Sequence, residues 1–150
     1  MDDITIRSTL ICGFPGETEE QHQELLDFIR EMKFDRLGAF SYSCQEGTPA
    51  ASFEGQIAEK EKKRRQNAVM ELQQEISAEK NRELEGKTLT AFVEGKVTGE
   101  PVYVARTYRD TPDVDGYVFV RSSRELFTGE FVQVRITGAH EYDLIGEIEE

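Results

Sequence analysis

Apolar and polar positions divide the chain into three textures. In the first, residues 4–12 (ITIRSTLIC) are β-branched and then continuously apolar, the pattern of a buried strand, and Gly13 stops the run. Thr18-Glu19-Glu20-Gln21 follows with capping-box spacing, which predicts a helix start. That helix gathers Leu25, Phe28, Ile29 and Met32 on one face and leaves His22 on the polar one. Residues 36–43 (RLGAFSYS) read as a second strand, so the segment predicts a parallel βαβ unit. Two parallel strands and one helix bury each other poorly and leave both sheet edges open. Residues 1–50 therefore read as the closing piece of a larger α/β domain. The open edges predict a dimer or a swapped segment as their cover.

The second texture, residues 51–85, is a polar linker and then a long helix over 59–84. Val69, Leu72 and Ile76 stand at helical spacing, and Gly86 is expected to cap the end. The run Lys60-Glu61-Lys62-Lys63-Arg64-Arg65 reads either as a solvated helix face or as an RNA contact. The third texture, residues 86–150, holds five short runs: TLTAFVE (88–94), PVYVART (101–107), GYVFVR (116–121), FVQVRIT (131–137) and YDLIGEI (142–148). They are rich in β-branched and aromatic residues and are broken by Gly, Pro and Asp turns. Such spacing predicts a five-stranded antiparallel barrel of OB-like type. The fold class is thus α/β followed by all-β, with a long helix linking the two.

Charge narrows the choice of partners. The 150 residues carry a net charge of −12, divided as −7 over residues 1–85 and −5 over residues 86–150. Neither part has the basic excess that drives nucleic-acid binding by counterion release. A basic protein partner suits such a surface, although acidity also serves solubility alone. No apolar run approaches the roughly 20 residues of a membrane span, and Met1-Asp2-Asp3 lacks the basic flank of a signal peptide. Cys12 and Cys44 both lie in strand-like runs, which predicts buried, reduced thiols in a cytoplasmic protein.

Three places hold candidate chemistry. The Gly13–Thr18 corner, GFPGET, ends a strand and opens a helix, where glycines admit a ligand and N–H groups are free. It lacks the Gly-Lys-Ser/Thr ending of a phosphate loop and the glycine spacing of the dinucleotide fingerprint. The cysteines lack metal-ligand spacing, and neither His22 nor His140 has a nucleophile with an orienting acid. The third place is DTPDVDG (110–116), a turn with Asp110, Asp113 and Asp115 around a Pro and a Gly. Its order is not that of a calcium loop. It reads as a docking point for a basic segment or as a solvated turn.

ITIRSTLICGFPGETEE, RLGAFSYSCQEGTPAA, LQQEISAEKNRELEGK, VARTYRDTPDVDGYVFV and HEYDLIGEI together resemble the radical-SAM methylthiotransferases. The resemblance covers essentially the whole chain. RTYRDTPDVDG and EYDL point to the branch that methylthiolates an aspartate β-carbon of a small-subunit ribosomal protein. The tRNA-modifying sister branch is more basic there. The resemblance implies that residues 1–50 end a radical-SAM partial barrel and that residues 86–150 form a TRAM domain. It also implies that Ile11, Gly13, Phe14, Pro15 and Gly16 line S-adenosyl-L-methionine (SAM), with Tyr42 and Ser43 beside them and Arg7 reaching inward. Members of the family hold two 4Fe-4S clusters through cysteine triplets that this sequence lacks. Cys12 and Cys44 match neither set, so the resemblance implies a C-terminal fragment, inactive alone, with no catalytic or metal residue of its own. Its barrel would dock a basic small-subunit ribosomal protein through Asp110, Asp113, Asp115, Tyr142 and Asp143. An RNA-binding module and a free-standing protein-interaction domain are the alternatives.

Overall fold

A computed structural model describes residues 4–149. Its contacts divide into two units, Met1–Ile76 and Ser77–Glu150. In the first, β1 (Arg7–Cys12) starts later than its apolar run. The Ile6 N–H is taken by the Asp35 carboxylate at 2.9 Å, and so leaves the ladder. Helix α1 (Glu19–Met32) begins with the expected capping box, Gln21 N–H to Thr18 Oγ1 and Thr18 N–H to Gln21 Oε1. Strand β2 (Arg36–Ser41) pairs parallel to β1 from Arg7↔Arg36 to Cys12↔Ser41.

The buried stripe of α1 differs from the expected one. It runs through His22, Leu26 and Ile29, while Phe28 and Met32 are exposed. His22 is fully buried rather than on a polar face, because a neutral imidazole packs like a small aromatic ring at the i, i+4, i+7 positions it shares with Leu26 and Ile29. Beneath α1 lies a core of Cys12, Leu26, Ile29, Phe34, Leu37 and Ala39, which Val69 and Ile76 of α2 (Glu59–Arg82) complete. Two α2 glutamines fasten it there: Gln66 Nε2 donates to the Ala39 carbonyl at 2.7 Å and Gln73 Nε2 to the Phe34 carbonyl at 2.9 Å. The other face of the strand pair keeps Ile11 and Phe40 exposed. A short 3-10 turn, Pro49–Ser52, lies between β2 and α2. No helix among the described residues is long and apolar enough to cross a membrane.

The second unit is a closed barrel of β3 (Thr88–Lys96), β4 (Val102–Thr107), β5 (Val118–Arg121), β6 (Phe131–Ala139) and β7 (Leu144–Ile148), in the order β3-β4-β5-β7-β6. Four pairings are antiparallel, as expected, and β5–β7 is parallel. The parallel seam follows from closure: β7 returns beside β5 after β6, so it points the same way. Alternate residues turn inward and build the core, among them Val93, Ala105, Val120, Val134 and Leu144. Gly146 is required where β6 and β7 approach, since a Cβ there would stand 2.4 Å from Val134 Cγ1. Gly86 does not cap α2, which ends at Arg82. Its N–H donates to the Ile136 carbonyl at 2.8 Å and marks the chain's entry into the barrel.

Candidate functional site

In the first unit the strand-to-helix corner is built around Glu17. Gly13 and Gly16 have φ of +76° and +85°, open to glycine at little cost. The Gly13 N–H donates to Glu17 Oε2 at 3.1 Å, the Gly16 N–H to the Gly55 carbonyl at 3.0 Å, and the Glu17 N–H to the Phe14 carbonyl at 2.9 Å. Three of the corner's main-chain donors are therefore bonded within the chain. The corner does not offer these three to an anion. What it presents instead is aromatic. Phe14 meets Tyr42 edge-on at 5.3 Å and Phe53 at 6.1 Å, with Phe14 half-exposed and Tyr42 buried.

Helix α2 supplies two cations that sequence reasoning left in solvent. Lys62 lies across Gly13, where a Cβ would come within 2.5 Å of its Cγ, and its Nζ sits 5.1 Å from the centre of the Tyr42 ring. Arg65 Nη1 donates to Glu17 Oε1 at 2.7 Å and to the Glu17 carbonyl at 2.9 Å, while its Nε donates to Glu61 at 2.9 Å. Both side chains are buried. The run is thus no uniformly solvated face. The signal was present: residues 62, 65, 69, 73 and 76 form one helical stripe, whose first two members are charged. Arg64 bonds Glu61 and Glu19. The Arg64 and Arg65 guanidinium groups hold the Glu61 carboxyl down at about 2. Burial pushes the Cys12 thiol up, with Glu17 adding to it, and pushes the Tyr42 phenol up.

Gly13, Phe14, Pro15, Gly16 and Tyr42 thus meet at one corner. Ile11 is exposed on the uncovered sheet face. Ser43 is exposed, its Oγ accepting from Gln45 Nε2 at 2.8 Å. Arg7 is not brought to the corner: it opens β1, and Cys12 closes it, roughly 17 Å away at ordinary strand rise. Cys12 is buried as expected, but Cys44 is exposed, because β2 ends at Ser41 and the chain leaves the core. Among the described residues no group of three His, Cys, Asp or Glu is placed to hold a metal ion.

In the second unit, loops 110–116 and 140–143 meet at one end of the barrel. Asp143 Oδ1 accepts the Tyr117 N–H at 2.8 Å, and a Cβ on Gly116 would collide with the Tyr142 carbonyl at 1.9 Å. Asn81 Nδ2 holds the second loop through the His140 and Glu141 carbonyls, each at 3.1 Å. Asp110 accepts from Thr107 N–H and Oγ1, and Asp115 from the Thr111 N–H at 2.6 Å. Three of the four candidate aspartates therefore shape the loops. Asp113 is exposed, with a left-handed φ of +59°, and Tyr142 is 44% exposed.

Residues 86–148 match the family described as TRAM domain. The chain is 50% identical over 147 residues, 98% of its length, to the ribosomal protein uS12 methylthiotransferase RimO of Lachnoclostridium phytofermentans. It is 50% identical over 145 residues to the proteins of that name from Carboxydothermus hydrogenoformans and Pelotomaculum thermopropionicum. The chain spans 33% of the length of each of these curated relatives.

Proposed function

We propose that this chain, which carries a TRAM domain and is related along nearly its whole length to the RimO methylthiotransferases, is the C-terminal part of such an enzyme. The parent would add a methylthio group to an aspartate of ribosomal protein uS12 in the cytoplasm. The observation that carries this reading is the identity of half the residues across both units.

The corner fits one wall of a SAM site. Three of its main-chain donors are taken within the chain, which disfavours a carboxylate or a phosphate there, whereas Phe14 and Ile11 present exposed apolar surface to a flat purine. When bound in the parent, SAM and its clusters would supply the radical chemistry. The clusters do not fit this chain: it holds two cysteines, one buried with its thiol pushed up and one exposed. Their ligands belong to the parent's remainder, and this piece alone would be inactive.

The barrel is read as the docking domain for the basic ribosomal protein. Asp113 and Tyr142 are free to make contact, while Asp110, Asp115 and Asp143 hold their shape. The competing RNA reading is weakened, because Lys62 and Arg65 are buried and Arg64 is paired, which leaves Lys60 and Lys63 as the exposed cations of that run that Glu61 does not neutralise. The test is the association rate of purified uS12 with the chain and with an Asp113→Asn, Glu141→Gln variant. Asparagine tolerates the left-handed backbone. Association is expected to slow several-fold with a shallower salt dependence. An unchanged rate at moderate salt would remove the acidic loops from the docking surface.

A further inference from the structure

Outward side chains of the barrel form a feature that the loops do not explain. Register sets Arg106, Phe92 and Phe131 in one row across β4, β3 and β6. Thr90 and Gln133 stand in the next row, bonded to each other at 2.9 Å. Thr90, Phe92, Arg106, Thr107, Tyr108 and Phe131 line a cleft of about 300 Å³. Phe131 is 70% exposed and Tyr108 63%. One exposed ring on a surface needs no explanation, but two walling the same cleft mark an interaction site.

The cleft already shows which chemistry it takes. The Arg106 guanidinium lies 4.9 Å from the centre of the Phe92 ring and is neutralised by Glu94 at 2.5 Å. Phe92 meets Phe131 edge-on at 5.2 Å. Among the described residues no cation covers Phe131 or Tyr108. The barrel is closed, so a partner cannot add a strand to it and must be gripped by side chains. Residues 86–150 carry a net charge of −5, and past the buried Arg109 the chain leads from Tyr108 into Asp110 and the acidic loop. Uncovered rings in a negative field attract cations. The same field opposes a phosphate backbone.

We propose that the cleft between Phe92, Tyr108 and Phe131 anchors an arginine side chain of an extended, arginine-rich protein segment. This rests on the reading that the barrel docks a basic protein, and adds where that protein is gripped. The acidic loop attracts the segment from a distance and the rings hold it.

The whole chain is titrated into a labelled arginine–glycine repeat peptide, followed by fluorescence anisotropy. Phe131→Ala and Tyr108→Ala should each weaken binding about tenfold, and Phe131→Tyr should retain it. Both rings lie outside the core, so thermal melts should be unchanged. Undiminished affinity in both alanine variants, with Asp113→Asn weakened, overturns the cleft and leaves the docking reading standing. No binding by the unaltered chain overturns both. Tighter binding of an oligouridylate that also depends on Phe131 gives the cleft to RNA and overturns the proposal.

Discussion

Arg65 reaches from α2 into the turn that joins β1 to α1 and touches both the carboxylate and the carbonyl of Glu17. Glu17 in turn holds the Gly13 N–H. The ion pair is 7% and 14% exposed on its two sides, so removing one member strands a charge away from water. Arg65→Met should cost about 2–4 kcal/mol in urea unfolding. Arg65→Lys should recover only part of it, since an ammonium cannot reproduce the guanidinium fork. The double variant Glu17→Gln, Arg65→Met should lie closer to the original than Arg65→Met alone. A neutral Arg65→Met would mean that water reaches Glu17. The glycine corner itself was legible in the sequence as a strand-to-helix turn, and so was Thr18 as a cap. Its chemistry was not, because the Gly16 N–H is taken by a main-chain carbonyl from the distant Gly55, and the Glu17 carboxylate that takes the Gly13 N–H is itself held by Arg65 of α2. Nothing in GFPGET announces that Arg65 and Gly55 will come to meet it.

Helix α1 docks through a residue whose charge changes near neutrality. His22 is fully buried, and burial pushes its imidazole below the ordinary value of about 6.5. Glu17 and Glu19 favour its protonation, while Arg64 and Arg65 oppose it. Between the lowered folded value and 6.5 the unfolded chain binds more protons than the folded one, so stability falls as the pH drops below 6.5. Glu61, held at about 2 against 4.5, adds a second loss that begins only below 4.5. Melting temperature should therefore decline from pH 7 to 5.5 in the original chain. In His22→Phe, with the ring kept and the charge removed, it should stay flat over that interval. Parallel declines would place the sensitive group elsewhere. At this scale the strands and helices themselves were legible, because period-two and period-3.6 patterns fix them. The buried side of α1 was not, because apolar periodicity counts Phe28 and Met32 as core and passes over the histidine that takes the place.

Each unit of the molecule has its own core, and the two cores are closed to different degrees. In the barrel every strand is paired on both sides, and the alternation seen in the sequence places Val93, Val120 and Val134 wholly inside. In the first unit two parallel strands carry helices over one face only, leaving Ile11 and Phe40 58% and 61% exposed on the other. This imbalance was legible in outline from the lone βαβ pattern, whereas the parallel β5–β7 seam was not, because pairing partners are a property of closure rather than of any one run. Open edges and an uncovered face let water reach ladder hydrogen bonds by small local openings, whereas barrel amides are released only when a closed ring breaks. Amide hydrogen exchange of the chain should therefore separate the units. Peptides from β1 and β2 should exchange at least about tenfold faster than those from β3, β4 and β6 after correction for intrinsic rates. Adding a cover for the open face should slow β1 and β2 alone. Uniform protection across all seven strands would show that the first unit unfolds only together with the barrel, and that its exposed sheet face costs the molecule no local stability.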